Sequence, residues 1–588
     1  MILQALYDYY QRKAADPVSN IAPRGFEWKE IPFIIVIDKE GNFINLEDTR
    51  SGEGKQKRSR RFLVIKNQHQ TGINAWKVAN VFWDHWGFLL SYPKENTDKA
   101  RIDAKKQNGS FISLVKQLSE KYKTNIQFAA VSSFFDREEE IQKVFEHENW
   151  NDCSKIPNCN MSFRLIGNES IVAEENDLFS EIQVSKEPDD CEKKQISEAI
   201  CLITGEKSEI ANKHTPTPIP GGKSRGKLVS FQKISGYDSY YKEQGLNAPV
   251  SKKAEDAYTT ALNVLLGKDS KNKFKIVDTS VVFWSQKQND LENHFSFFFS
   301  APSKDDPDQN IREVKALFES IHTGKLNTEG DTPFYILGLA PNAARISIRF
   351  WRMGKVADFA NNIVKHFEDM EIISDSKNQQ DYFNLYSLLS NISLKENIDN
   401  LPPNIHGSVV ESILDGTKYP DTLQQQCIRR IKAELNVKHL NVNRIRAAIL
   451  KAYLNRKETI YNSNEKLITM SLDLDNKNQG YLCGRLFAIL EKIQEDAQGT
   501  ANIRERFYGA FSSTPVTTFS TLMKLKNHHL AKIGGGGKTY YEKMIQEIMT
   551  GVSSNGLPAH LSLDDQSRFA IGYYHQRQEL FMKKEKNN

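Results

Sequence analysis

YLCGRLFAILEKIQE, residues 481–495, carries a regular helical pattern in the C-terminal part of the chain. Its apolar residues recur at i, i+4, i+7, i+8 and i+11, which places them on one face of a helix. They are Leu482, Leu486, Ile489, Leu490 and Ile493. Helical spacing also recurs in residues 380–395, 423–436 and 443–455 and in the tail GYYHQRQELFMKKEKNN. From about residue 355 onward, the sequence therefore predicts helices.

Toward the N-terminus the pattern changes to short alternating runs, which are typical of strands. FYILGLA (334–340) and ARISIRFW (344–351) predict a strand pair, and TSVVFWSQ (279–286) predicts another strand. The run FIIVI-DKEGN-FINLE (33–47) predicts a hairpin around a Gly-Asn turn. The other predicted elements are helices at 2–13, 111–122 and 138–146, and strands at RRFLVIK (60–66) and QFAAVSSFF (127–135). The predicted fold class is α+β: a mixed α/β N-terminal portion followed by a C-terminal all-helical bundle.

A length of 588 residues predicts three or four domains. The Pro/Gly-rich stretch HTPTPIPGGKSRG (214–226) has the composition of a loop. The four predicted parts are an N-terminal α+β DNA-contacting domain (1–150), a central α+β domain with the Gly-rich loop (151–354), a helical domain (355–469) and a C-terminal helical bundle (470–588).

The overall charge is nearly balanced, with 79 Lys+Arg against 74 Asp+Glu, so net charge alone does not identify a nucleic-acid partner. Six cysteines in 588 residues do not form a disulfide framework. The start MILQALYDYYQRK lacks the pattern of a signal peptide, and no run of about 18 apolar residues is present. We therefore expect a soluble protein of the reducing cytoplasm, with no membrane partner.

Positive charge is concentrated between residues 55 and 66, where no acidic residue occurs. The cations of this segment are Lys55, Lys57, Arg58, Arg60, Arg61 and Lys66. A cationic loop of this kind is suited to phosphate contact, which releases counterions and weakens with salt. The alternative interpretation is an ordinary solvated turn.

An amide-rich segment, NQHQTGINAWKVANVFWDHWGF (67–88), follows directly. Its short polar side chains surround a glycine, and such a loop can approach base edges closely. They are Asn67, Gln68, Gln70, Thr71 and Asn74, around Gly72. The aromatic residues after them favour core packing over base stacking: Trp76, Phe82, Trp83, Trp86 and Phe88.

Two glycine-rich runs resemble phosphate-binding loops without matching the Walker pattern. Lys223, Ser224 and Arg225 lie between Gly222 and Gly226, where open backbone N–H groups and cations favour an anion. The run GGGGKT (534–539) fails the Walker spacing, because the first glycine of that motif would fall at Lys532. We interpret this second run as a flexible linker.

The sequence does not predict a catalytic or metal centre. Zinc sites use closely spaced Cys pairs, whereas the central cysteines are more widely separated. The candidate ligands are Cys153, Cys159, Cys191 and Cys201, with His214 nearby. No H-E-x-x-H, G-x-S-x-G or G-x-G-x-x-G motif is present. We expect no cofactor and no metal, and a binding protein rather than an enzyme.

Several stretches together resemble one family, the large subunit of the subtype I-C Cascade, a CRISPR surveillance complex guided by RNA. They run in family order from the middle of the chain to its end, and the loop around Thr71 and Gly72, with the FWDHWGF that follows, resembles a more diverged version of the family's N-terminal pattern. The matching stretches are CLITGE (201–206), GGKSRGKLVSF (221–231), SYYKEQGLNAPVS (239–251), GRLFAILEKIQ (484–494), RFYGAFSSTPVTTF (506–519), HHLAKI (528–533) and GYYHQRQELF (572–581).

The resemblance implies a non-catalytic protein that recognises a short protospacer-adjacent motif (PAM) in double-stranded DNA and promotes R-loop formation. The implied partners are CRISPR RNA, target DNA, the backbone and handle-capping subunits, a small helical subunit and the helicase-nuclease. R-loop formation is nearly balanced in energy, so a few protein contacts can tip it. The alternatives are a metal-dependent nuclease of a defence locus and a pure scaffold without PAM dependence.

The family resemblance implies a role for each of these polar clusters. Lys55, Lys57, Arg58, Arg60 and Arg61 hold duplex phosphates, and Gln70, Thr71, Gly72 and Asn74 probe the PAM. The contacts with DNA where the duplex opens come from Lys223, Ser224 and Arg225. Lys223 and Arg225 bind phosphate, and Ser224 probes the PAM. Lys524, Lys526 and Lys532 bind the displaced strand.

The C-terminal bundle also resembles the family's small subunit, which in subtype I-C is translated from inside the large-subunit gene. Met470 precedes a polar stretch whose Asp473, Asp475 and Asn478 are turn and cap formers. Residues 470–588 carry 15 Lys+Arg against 12 Asp+Glu. We expect this segment, 119 residues long, to be made also as a separate protein that starts at or near Met470.

Overall fold

A computed structural model gives the fold of the chain. It describes residues 2–52, 57–66, 74–178, 198–223, 226–232, 238, 240–276, 278–299, 312, 316, 319, 330–343, 345–374, 383–435, 442–461 and 465–581. The chain forms two compact units: Met1–Thr215 with Val229–Val264, and Pro216–Leu228 with Leu265–Asn588. The predicted α+β class is confirmed. The division into four domains stays a prediction.

Among the described residues, strands and helices are mixed as far as β14, and the elements after β14 are helices. The strands are β1 Phe26–Glu30, β2 Phe33–Ile37, β3 Phe43–Asp48, β4 Arg50–Ser51, β5 Arg58–Ser59, β6 Arg61–Ile65, β7 Trp83–His85, β8 Asn160–Leu165, β9 Glu198–Ile200, β10 Lys207–Glu209, β11 Lys273–Ile276, β12 Thr279–Ser285, β13 Pro333–Asn342 and β14 Arg345–Lys355. The helices are α1 Ile2–Ala14, α2 Trp86–Leu90, α3 Asp98–Lys121, α4 Ile126–Phe135, α5 Glu138–Glu146, α6 Trp150–Ser154, α7 Lys252–Leu266, α8 Asp290–Phe299, α9 Val356–Met370, α10 Leu385–Asn391, α11 Pro403–Asp415, α12 Asp421–Ala433, α13 Arg444–Tyr461, α14 Gln479–Gln498, α15 Ile503–Phe511, α16 Pro515–Leu530, α17 Gly535–Thr550 and α18 Leu563–Phe581.

The first unit is built on a four-stranded sheet in the order β3-β2-β8-β7. All five residues of β2 are buried, as expected for a central strand with both faces covered. The predicted β2–β3 hairpin is confirmed, and Asp38 accepts the N–H groups of Glu40 and Asn42 in its turn. Gly41 has a φ of +86°, and a Cβ there would lie closer than 3.0 Å to the backbone of α4. This turn therefore needs glycine.

The strand predicted at 127–135 is wrong, because these residues form helix α4. Asn125 accepts the N–H groups of Gln127 and Phe128, and so it caps the first turn of the helix. A short apolar run fits a buried strand and a buried helix equally well. The N-cap and the burial of Phe128, Val131 and Phe134 at i, i+3 and i+6 favour the helix.

The second unit contains an antiparallel sheet in the order β11-β12-β13-β14, which confirms the strands predicted at 279–286, 334–340 and 344–351. Phe283, Phe334 and Ile336 face a core shared with the helices that follow. The helices predicted in 423–436, 443–455 and 481–495 are present as α12, α13 and α14.

Helices α14 and α18 pack against each other through glycine. A Cβ at Gly480, Gly484 or Gly572 would lie closer than 3.0 Å to backbone atoms of the opposing helix. Absence of a side chain at these three positions lets the two backbones approach more closely than ordinary helix packing allows. Beside this close approach, Glu491 is buried and accepts from the Tyr573 hydroxyl and from Arg577, whose Nη1 is 2.9 Å away.

The prediction of a flexible linker at 534–539 is wrong. Gly534 is the N-cap of α17, and the next three glycines form its first turn. Each glycine costs about 1 kcal/mol of helix propensity relative to alanine. Burial of Tyr541, Ile545 and Ile548 on one face of the same helix offsets that cost. No helix in the described part of the chain is long and apolar enough to cross a bilayer.

Candidate nucleic-acid interface

The described part of the cationic segment, residues 57–66, begins on the returning arm of a short β-ribbon and continues into β6. Strand β4 pairs antiparallel with β5, so that Arg50 lies opposite Ser59 and Ser51 opposite Arg58. Lys57, Arg58 and Arg60 are exposed on this arm. Lys55 lies outside the described residues. The returning arm presents Lys57, Arg58 and Arg60 to solvent, as phosphate contact requires.

Arg50 fixes the base of the ribbon instead of binding a ligand. Its Nε and Nη2 lie 2.8 and 2.7 Å from the two carboxylate oxygens of Asp48, and its guanidinium is 4.7 Å from the centre of the Phe33 ring. Burial raises the pKa of Asp48, but the hydrogen bonds from Arg50 outweigh it and leave the pKa below its usual value. This bidentate pair orients the outgoing strand.

The remaining cations of the segment divide between exposed and structural roles. The Arg60 guanidinium lies 5.0 Å from the Phe62 ring centre, which holds the arginine at the surface. Arg61 lies opposite Glu30 in the β1–β6 ladder. Lys66 is mostly buried, and its Nζ is 2.7 Å from Asp256. Of the described cations, Lys57, Arg58, Arg60 and Arg61 are exposed and so can reach a phosphate, whereas Lys66 is paired with Asp256.

Most of the predicted reading loop lies outside the described residues, namely Gln70, Thr71 and Gly72. Asn74 is described and exposed. It precedes the short 3₁₀ helix Ala75–Lys77, and its side chain makes no capping hydrogen bond there. The Asn74 amide is therefore not used by the local fold as a cap.

The prediction that the aromatic residues after this loop form a core is confirmed for four of the five. Phe82, Trp83, Trp86 and Phe88 are buried, and the Trp83 indole donates to the Ile65 carbonyl at 3.1 Å. This hydrogen bond ties the end of β6 to the segment that follows the loop.

Trp76 differs from the other aromatic residues, because it is only half-buried and has two lysines near its ring. Lys77 Nζ is 5.7 Å and Lys106 Nζ 5.8 Å from the ring centre. Helix α3 carries Lys106, thirty positions from Trp76, so no local pattern in the sequence brings the two together. Sequence reasoning missed both lysines, which add positive charge close to Asn74.

The Gly-rich loop is compact within the second unit. The Thr217 N–H donates to the Gly226 carbonyl at 2.7 Å, and the Gly226 N–H donates to the Lys223 carbonyl at 2.9 Å. Gly221 has a φ of +80° and lies against Pro341 at the end of β13. Lys223 is exposed on this closed loop, whereas Ser224 and Arg225 lie outside the described residues.

The three C-terminal lysines lie near the end of α16. Lys524 and Lys532 are exposed, and Lys526 is half-buried. None of the three is within 4.0 Å of a carboxylate in the part of the chain that the structure describes. Burial and the neighbouring His528 and Lys532 lower the pKa of His529, which favours its neutral form. The surface charge here comes from lysines that have no acidic partner among the described residues.

The residues considered as zinc ligands, where they are described, do not form a group of three. Cys153 and Cys159 are buried in the core of the first unit, where Cys153 Sγ is 3.9 Å from the Met161 sulfur. Cys201 accepts backbone N–H groups from Ser251 and Ile203, and His214 contacts the Tyr258 hydroxyl. Cys191 lies outside the described residues. Among the described residues, no three His, Cys, Asp or Glu side chains are grouped for a metal ion.

The family comparison covers almost the whole chain. The family described as CRISPR-associated protein (Cas_Csd1) matches residues 6–581, which include the cationic ribbon, the Gly-rich loop and the helical bundle. No curated protein matches the sequence. A match over this length does not depend on any single motif. The chain therefore belongs to the Cas_Csd1 family of CRISPR-associated proteins.

Proposed function

We propose that this protein is the non-catalytic large subunit of a type I-C CRISPR RNA-guided Cascade, in which it recognises the PAM in double-stranded DNA and promotes R-loop formation. The observation that carries the proposal is the exposed cationic ribbon of a CRISPR-associated chain. CRISPR RNA pairing reads the long target sequence in such a complex. The protein has to hold the duplex and read only a short motif.

The ribbon binds the phosphates of the duplex, and the reading loop contacts its bases. Lys57, Arg58, Arg60 and Arg61, with Lys55, bind phosphates and set the position of the duplex. Asn74, with Gln70, Thr71 and Gly72, reads base edges. Strand β6 (Arg61–Ile65), which is roughly 13 Å long, lies along the chain between the ribbon and the segment that contains these polar residues. The two clusters therefore contact different parts of the same duplex.

Two further surfaces act after the duplex has opened. Lys223 lies on a loop closed by the Thr217–Gly226 hydrogen bond, and with Ser224 and Arg225 it contacts DNA at the opening point. Lys524, Lys526 and Lys532 bind the displaced strand. The large subunit then presents the target to the helicase-nuclease, beside the backbone and handle-capping subunits that carry the CRISPR RNA.

We also propose that residues 470–588 are made as a separate small subunit. Asn478 accepts the N–H groups of Gly480 and Tyr481 at the start of α14, and Asp473 accepts the N–H of Asp475. A chain that starts at Met470 therefore cuts no helix or strand. Expression with a C-terminal tag is expected to give a second, smaller band, which silent changes at the internal ribosome-binding region remove. Absence of that band contradicts the proposal.

PAM reading is tested with the assembled complex on matched duplexes that differ only in the PAM. Asn74→Ala is expected to reduce the ratio of PAM to non-PAM affinity by roughly tenfold, since a good base contact contributes about 1–3 kcal/mol. Asn555→Ala removes another exposed asparagine and serves as the control. Full PAM discrimination by the Asn74 and Thr71 variants contradicts this placement of the reading residues.

The absence of catalysis is a proposal as well. Purified protein incubated with DNA and Mg²⁺ or Mn²⁺ is expected to leave the DNA intact. Metal-dependent cleavage that one carboxylate substitution abolishes would instead identify the chain as a nuclease.

A further inference from the structure

Two adjacent tyrosines in the first unit project fully into solvent. Tyr240 is 92% and Tyr241 109% exposed, which is more than any other large apolar side chain among the described residues. Neither ring has a stacking partner within the described structure. Large aromatic side chains usually bury most of their surface, so this exposure requires an explanation.

The backbone under the two rings is held in an uncommon conformation. Tyr240 has a φ of +52° and Tyr241 a φ of +59°, both in the left-handed region that favours glycine. Two consecutive side chains of this size are rarely found there. Strained backbone of this kind persists only where the surroundings fix it, and it clusters at ligand-binding sites.

Neighbouring residues hold the backbone of the two tyrosines in this conformation. The Asn247 amide lies 3.2 Å from Asp238 Oδ1 and 3.1 Å from both the Lys242 and Gln244 carbonyl oxygens, and so it ties the two ends of the loop together. The next residue inward, Gly245, is buried so tightly that a Cβ there would lie closer than 3.0 Å to the Ala211 backbone. The loop therefore presents the tyrosine pair from a rigid base.

We infer that Tyr240 and Tyr241 form a stacking platform for unpaired bases of single-stranded DNA, an inference that rests on the proposed DNA-binding function and goes beyond its assigned lysines. Base–aromatic stacking tolerates any sequence, because every base has a π-face. The loop backbone loses little conformational freedom on binding, since hydrogen bonds from Asn247 already hold it.

The side chains around the rings favour a nucleic acid over a protein. Lys242, next to the pair, is exposed and cationic, and Asn247 is exposed and polar, whereas the exposed Glu243 is acidic. A protein-binding surface of two tyrosines would need an apolar centre around them. The exposed side chains of this loop instead suit a phosphate backbone beside stacked bases.

The test uses the full chain and a single-stranded oligonucleotide that carries 2-aminopurine. Stacking on an aromatic ring changes the fluorescence of this base. Tyr240→Gly and Tyr241→Gly remove a ring and relieve the left-handed backbone, so both variants are expected to fold at least as well as the parent chain. Each is expected to bind the oligonucleotide roughly tenfold more weakly and to lose the fluorescence change. Tyr241→Trp keeps an aromatic ring at this position, so this variant is expected to retain the affinity for the oligonucleotide and the fluorescence change.

Tyr461→Ala removes a tyrosine that is 64% exposed on α13 and is the matched control, with no expected effect. Unchanged affinity and fluorescence in both glycine variants, with duplex binding intact, overturns the stacking platform and leaves the proposed function standing. Loss of a protein subunit from the assembled complex, with unchanged single-strand binding, also overturns it. Absence of any DNA binding by the parent chain overturns both proposals.

Discussion

The ribbon of the first unit and the α14–α18 helix pair of the second use arginine in opposite ways. Arg568 is buried on α18, with its Nη2 2.8 Å from a buried carboxylate on Glu458. Arg485 and Arg577, on the same helix pair, also bind carboxylates, at 3.0 and 2.9 Å. Arg60, on the ribbon, is exposed and lies over a single aromatic ring.

The contrast shows that the number of cations in a segment does not reveal which of them can bind a ligand. Residues 55–66 and α18 both contain cations close to apolar residues. In the helix pair, burial would leave a charge unsolvated unless a carboxylate accepted it, so each arginine stabilises the fold. On the ribbon, the Arg60 guanidinium is exposed at the surface, where a phosphate can reach it. Each prediction below tests one side of this contrast.

The largest expected effect is on the helix pair itself. Gly484→Ala would force the backbones of α14 and α18 apart, because its Cβ would overlap the Phe569 carbonyl. We expect a loss of about 5 kcal/mol in the free energy of unfolding, or no folded protein. Gly509→Ala, on α15, is the control, since its Cβ would reach no atom closer than 4.0 Å. Chemical unfolding measures both, and equal stability of the two variants contradicts the close approach.

A buried arginine is expected to matter more for stability than an exposed one. Arg568→Ala leaves Glu458 buried without its main partner, and we expect a loss of about 3–5 kcal/mol. Arg60→Ala is expected to change the free energy of unfolding by less than about 0.5 kcal/mol. Thermal or urea unfolding of the two variants compares them directly. A ribbon variant as unstable as the Arg568 variant would mean that the ribbon is structural.

Two buried histidines make the stability of the second unit depend on pH. Burial, with Arg456 near His366 and Lys451 near His575, lowers the pKa of each to about 3. In the unfolded chain each histidine has a pKa of about 6.5, so the unfolded state takes up protons more readily than the folded state. The contribution of the two neutral histidines to the free energy of unfolding is therefore complete above pH 6.5 and is lost as the pH falls.

Below pH 6.5, we expect the free energy of unfolding to decrease by about 1.4 kcal/mol per pH unit for each of the two histidines. The double variant H366Q/H575Q is expected to flatten this slope in unfolding experiments between pH 7.5 and 5. The exposed His560, changed to Gln, should leave the slope as it is. An equally steep slope in the double variant contradicts the assignment.

The smallest effect is expected from the C-terminal lysines. Ala at Lys524, Lys526 or Lys532 should lower the salt slope of single-strand binding by about 0.7 for each phosphate that the protein no longer neutralises, with no change in stability. Salt titrations of the three single variants provide the measurement. Unchanged slopes in all three remove this surface from the path of the displaced strand.

The sequence predicted the periodic parts of the fold and failed where local composition was ambiguous. The spacing of Leu482 and Ile493 predicts α14, but nothing in the sequence shows that Gly484 faces a backbone instead of solvent. The apolar run at 127–135 was predicted as a strand but forms a helix. The glycines at 534–539 were predicted as a linker but form the start of a helix. In both places packing outweighs the local secondary-structure propensity.

The candidate interface was predictable where charge clusters along the chain and unpredictable where the fold assembles it. Lys57, Arg58 and Arg60 are adjacent in sequence and exposed together. Lys106 and Trp76 meet only through packing of α3. Lys66 looked like its neighbours in sequence, yet the fold pairs it with Asp256 from a distant segment.

The most direct test of the central claim is the salt dependence of duplex binding by the variant K57A/R58A/R60A/R61A. If these four cations hold phosphates, affinity falls for PAM and non-PAM duplexes alike. The slope of log K against log salt then decreases in magnitude by up to about 0.9 per cation, and the free energy of unfolding stays within about 0.5 kcal/mol per substitution. A variant that keeps the affinity and the salt slope of the parent chain contradicts the claim.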